Sequence, residues 1–83
     1  MRAIVVDFHE FNSAREVHAF LSEKLGFPAY YGHNLDALYD MLTTLSEDVC
    51  ITVVHAGQDF EKGFDAVFSD AAECGRHFFC TGV

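Results

Sequence analysis

The chain is short of positive charge. Five Lys and Arg stand against thirteen Asp and Glu in 83 residues, a formal charge of −8. That balance repels nucleic-acid phosphates and anionic lipid, so neither is expected as a direct partner. A cationic protein is the better match. The shortage is sharpest in the middle. From Leu25 to Glu61 there is no Lys or Arg, while Asp36, Asp40, Glu47, Asp48, Asp59 and Glu61 all fall there. A field of one sign is expected to project from that stretch.

Other absences narrow the class further. One proline and six glycines exclude a low-complexity or disordered chain. Tryptophan is missing, yet nine Phe and a 51% hydrophobic composition supply a core without staples. The three cysteines, Cys50, Cys74 and Cys80, are odd in number and lack CxxC spacing. They read as small buried hydrophobes in a reducing compartment. No signal peptide and no run of membrane-spanning length is visible, which points to the cytoplasm. The histidines are scattered with no pair at metal-ligand spacing, so neither a metal nor a cofactor is expected. No nucleophile, oxyanion cradle or phosphate loop accompanies the carboxylates, and an enzyme is not expected either.

What is present alternates regularly along one domain, residues 1–83. Ala3-Ile4-Val5-Val6 with Phe8 is a β-branched run typical of a covered strand. Ser13-Ala14-Arg15-Glu16 is a capping box. Val17, Phe20, Leu21 and Leu25 follow at helical spacing, and Gly26 ends that helix. Phe27-Pro28-Ala29 reads as an extended link. A second helix runs to about Leu45. Val49–Val54 is the second strand, and residues 55–59 are a loop. Phe60, Phe64, Val67, Phe68 and Ala71 mark a third helix ending at Gly75; Gly63 falls inside it or just before it. Residues 77–81 form the last strand. This is an α/β order, and crossovers of such length favour parallel strands. The expected fold is a small three-stranded parallel sheet packed with helices.

The second helix carries the chemistry. In Tyr30-Tyr31-Gly32-His33-Asn34-Leu35-Asp36-Ala37-Leu38-Tyr39-Asp40, Gly32 offers a tolerant backbone position and Asn34 is a good N-cap. Leu35, Leu38, Leu42 and Leu45 define an apolar face. Asp36 and Asp40 stack on the opposite face, with Tyr39 on the flank. Like charges at this spacing cost an isolated helix roughly 0.2–0.5 kcal/mol. Folding gains nothing from that repulsion, which points to an external partner. Of the two tyrosines, Tyr31 is expected to be the more buried. Read without any family, the acids of this face are better taken as a solvated helix surface, as are Thr43, Thr44 and Asp70.

The motif Tyr30-Tyr31-Gly32-x-Asn34-Leu35-Asp36-Ala37-Leu38-x-Asp40 resembles the core motif of the barstar family, and the element order matches along nearly the whole chain. The residues Phe68–Gly75 align more loosely. The resemblance implies a barstar-like fold and an intracellular protein inhibitor of a small, basic secreted microbial ribonuclease such as barnase, monomeric when free. By matching position, Asp40 would stand in for an RNA phosphate among catalytic Arg and His groups. Asp36 would pair with a second cation, and Tyr30 would pack on the catalytic histidine. Asn34, Leu35 and Thr43 would line the same surface. Tyr39 stands where the family often has tryptophan, and Asp70 where it often has glutamate reaching the same cationic patch. His33 replaces a frequent glutamate. The competing reading is an acidic interaction module that binds a different basic protein and has no nuclease target.

Overall fold

The computed structural model describes residues 2–82. Strand β1 spans Arg2–Asp7, α1 Ala14–Leu25, α2 Leu35–Thr43, β2 Val49–Val54, α3 Glu61–Cys74 and β3 Phe78–Gly82. The strands form one parallel sheet in the order β1-β2-β3, with Ile4 opposite Ile51 and Ile51 opposite Cys80. The fold is therefore the small α/β arrangement that the alternation implies.

Alternate strand residues face opposite ways. Ile4, Val6, Val49, Ile51, Val53 and Phe78 point into a core shared with Val17 and Leu21 of α1, Leu38 and Leu42 of α2, and Phe64, Phe68 and Ala71 of α3. The other side of the sheet is open, with Val5 58% and Phe79 44% exposed.

Local chemistry fixes the element ends. Ser13 caps α1 by accepting from the Glu16 amide, and Glu16 Oε1 accepts from the Asn12 amide at 2.9 Å. The reciprocal half of the capping box thus reaches one residue further back than its usual partner. Gly26 closes α1 at φ +68°, a left-handed turn that glycine enters without a Cβ clash.

Several boundaries differ from the sequence reading. Phe8 is not in the strand: Phe8–Glu10 form a short 3-10 turn capped by Asp7. Residues 28–31 close a turn, Tyr31 N donating to Pro28 O, rather than an extended link. Helix α2 stops at Thr43, short of Leu45. There Thr43 Oγ1 donates to Tyr39 O and Thr44 Oγ1 to Asp40 O, so side-chain hydroxyls take up the last carbonyls. Gly63 lies inside α3. The cysteines are all free, but only Cys50 and Cys80 are partly buried; Cys74, the last residue of α3, is exposed.

Glu61 is the largest departure. It belongs to the acidic stretch but is only 3% exposed. Burial raises its pKa, yet the amides of Gln58 and Ala56 and the His55 ring bond to the carboxylate and bring it below the ordinary value. The bonds run from Gln58 N at 2.6 Å and from Ala56 N at 3.1 Å. Gln58 Nε2 in turn donates to Phe8 O and Phe11 O, tying the loop to the turn after β1. Replacing Glu61 with Ala strands the amides of the 55–60 loop and should cost about 1–3 kcal/mol in denaturant unfolding. Because its folded pKa is lowered, the ionised Glu61 stabilises the fold above pH 4.5. That contribution should fade as pH falls through the folded value, and a Glu61→Gln chain should lose this part of the acid dependence.

Candidate functional site

The candidate face starts with a buried ring. Tyr31 is 4% exposed, and its hydroxyl lies 2.7 Å from Nδ1 of His18, itself 3% exposed on α1. Phe27 packs tilted against Tyr31 at 4.8 Å between centroids, and Phe64 lies 4.9 Å from His18. Burial pushes the Tyr31 phenol up to about 12. Tyr30, one residue earlier, has to point the other way and is 83% exposed. The ordering of the two tyrosines is the one the sequence suggests.

His33 then takes a left-handed conformation, φ +51°, and its Nδ1 lies 2.9 Å from Tyr31 O. The unusual torsion belongs to His33 and not to Gly32, as the sequence reading had it. Next, Asn34 Oδ1 accepts from Ala37 N at 2.8 Å, while its Nδ2 donates to Gly32 O at 3.3 Å. The cap therefore binds both the helix and the loop that feeds it.

Beyond the cap, Leu38 and Leu42 are buried, Leu35 and Leu45 are half-buried, and Asp36 and Asp40 are exposed. Asp36 lies in the first turn, where the helix dipole favours it. Tyr39 is half-buried on the flank and packs against the core. The Cys74 thiol beside it raises the phenol pKa most, with smaller contributions from the charges of Asp70 and Asp40. Tyr39 thus lies beside Cys74 of α3, and the exposed Asp70 of α3 lies within electrostatic reach of it, as Asp40 does. Thr43 is half-buried, with its hydroxyl committed to helix carbonyls.

Among the described residues, every ion pair uses a histidine: His9 with Asp7, His55 with Glu61 and Asp65, and His77 with Asp48. Asp36, Asp40 and Asp70, like Glu10, Glu16, Glu23, Glu47, Asp59 and Glu73, form no ion pair among the described residues. No group of three metal-ligating side chains occurs among the described residues. An open polar cleft between Arg2, Ser46, Glu47, Asp48 and His77 contains none of the candidate residues. No helix among them is long and apolar enough to cross a membrane.

His18 and Glu61 escaped the sequence reading. For His18 a signal existed: it precedes Leu21 by three residues and so falls on the apolar side of α1. Glu61 carried the same signal, three residues before Phe64 on the apolar side of α3, but the loop amides that satisfy it there are not legible from spacing.

His18 predicts a pH dependence. Burial, and then the charge of nearby His33, lower its pKa below 6.5. Between the folded pKa and 6.5 the unfolded chain binds more protons, so stability rises with pH there. Acidification below pH 6.5 should lower the denaturant midpoint, and a His18→Phe chain should lack that slope.

Comparison with known proteins bears on the family of the chain. The barstar family model, described as Barstar (barnase inhibitor), matches residues 1–79. The Bacillus subtilis (strain 168) protein named "Putative ribonuclease inhibitor YrdF" is 40% identical over 70 residues, covering 84% of this chain and 76% of that protein. With a family model that spans all but the last residues, and with the motif 30–40 folded as a capped helix on a parallel sheet, the chain belongs to the barstar family.

Proposed function

We propose that this chain inhibits a small, basic microbial ribonuclease of the barnase kind by covering its active site with the loop and helix 30–44. The carrying observation is that Asp36 and Asp40 stand exposed four residues apart on one helix capped by Asn34, with no ion-pair partner among the described residues. The family is one of inhibitors, and the chain is not an enzyme. Acting on a nuclease that its own cell secretes, it works in the cytoplasm, as a monomer until it meets the enzyme.

The chemistry follows from the partner's needs. A ribonuclease that cuts RNA gathers cations where the phosphate binds. Asp40 offers those cations a carboxylate that accepts two N–H bonds from a guanidinium fork, and charge-assisted bonds of this kind are about twice as strong as neutral ones. Asp36 pairs with a second cation, and Asp70 extends the strip from α3. Tyr30 presents an exposed ring to the catalytic histidine. Asn34, Leu35, Tyr39 and Thr43 surround the acids with partly apolar contact. The field of an acidic face also speeds encounter with a basic enzyme.

Titrating barnase and a panel of other secreted microbial ribonucleases with the chain, with RNA turnover as readout, tests the reading. Stoichiometric loss of turnover in at least one is expected. Unaffected turnover across the panel would overturn it and leave the acidic interaction module. Against an inhibited nuclease, Asp40→Ala should weaken binding by about 2–5 kcal/mol, the size of the effect when one partner of a buried charge pair is truncated, for which barnase and barstar are themselves the type case. Its unfolding free energy should stay within about 0.5 kcal/mol of the parent's. Asp36→Ala should weaken binding less, chiefly by slowing association at low salt.

A further inference from the structure

Gly63 lies in the first turn of α3, which spans Glu61–Cys74. Its φ is not positive, so the backbone does not call for glycine there. Alanine would serve the helix better. What alanine lacks is room: a Cβ at Gly63 would lie 2.7 Å from Leu35 Cδ1 and 3.8 Å from Leu35 Cγ. Leu35 is the first residue of α2, between the capping Asn34 and the exposed Asp36, and it is half-buried. Its side chain occupies the space that glycine leaves on α3.

We propose that Gly63 is a positioning residue for the acidic face: the recess it leaves seats Leu35, and this sets where the first turn of α2, with Asp36, stands against α3 and Asp70. The proposal rests on the inhibitor reading, which gives the face its purpose. Leu38 and Leu42 already anchor the middle and end of α2. Its beginning has the Asn34 cap, the half-buried Ala37 and this seat. On this proposal a methyl added at Gly63 displaces the Leu35 side chain and alters the face beside Asp36.

The test compares the parent with Gly63→Ala, Leu35→Val and the double variant. Valine lacks the δ-carbons that meet the added methyl. The readouts are the amide NMR signals of Asn34, Asp36 and Ala37, and inhibition of barnase. Gly63→Ala should move those amide signals and weaken inhibition about tenfold. In the double variant the signals should return to the Leu35→Val pattern, and inhibition should match Leu35→Val alone. Unmoved signals in Gly63→Ala, or a loss in the double variant that simply adds to that of Leu35→Val, would overturn the proposal. If Gly63→Ala alone does not fold, the double variant still should, and failure of both counts against it. A parent that leaves barnase untouched would count against the nuclease reading for that enzyme, while the amide signals would still decide the seat.

Discussion

The hydroxyl of Tyr31 and the imidazole of His18, 2.7 Å apart inside the protein, fix the loop on which the face depends. Sinking the Tyr31 ring decides where its neighbours go. Tyr30 turns to solvent, and the Tyr31 carbonyl is presented to His33. Among the described residues, no other side-chain hydrogen bond ties residues 30–34 to α1. The bond also lets two polar groups lie in an apolar core, because each satisfies the other where water cannot. A lone buried hydroxyl or imidazole would have cost more than a lost contact.

The histidines, and not the few Lys and Arg, stand beside the paired acids among the described residues. His9, His55 and His77 each sit beside carboxylates that lie off the face. They bond those acids without placing a permanent charge there. Arg2, the cation nearest the start of the sheet, donates to the Lys24 carbonyl. The acids of α2 are left to the solvent. That pattern fits a surface whose counter-charges arrive with a partner.

Much of this was legible in the sequence. The capped helix at Asn34, the outward acids, the buried Leu38 and Leu42 and the parallel sheet all follow from local spacing and side-chain chemistry. The misses share a cause in non-local contacts. Glu61 looked like another surface acid because its three partners come from a loop whose path the sequence does not state. Gly32 is the tolerant position in the sequence, but the left-handed torsion falls on His33, whose Nδ1 lies against Tyr31 O. Helix α2 looked longer because Leu45 continues the apolar spacing, but the hydroxyls of Thr43 and Thr44 took its last carbonyls. Asp70 reads as plain helix surface in the sequence, and the structure adds only that its charge reaches Tyr39 of α2.

Magnitudes show why such a face is tolerated. The repulsion between Asp36 and Asp40 amounts to roughly 0.2–0.5 kcal/mol, since both are exposed and water screens them. Beneath them, Leu38 and Leu42 are wholly buried, and burying one such side chain contributes about 1.5–3 kcal/mol. The apolar side of α2 outweighs its acidic side several times over. Packing alone can therefore hold the helix in place, and the outer face is free to carry charges that serve another molecule. Moving the acids inward would reverse this balance, because a desolvated carboxylate without a partner costs far more than one leucine returns. Exposure is the condition under which the fold can keep the face.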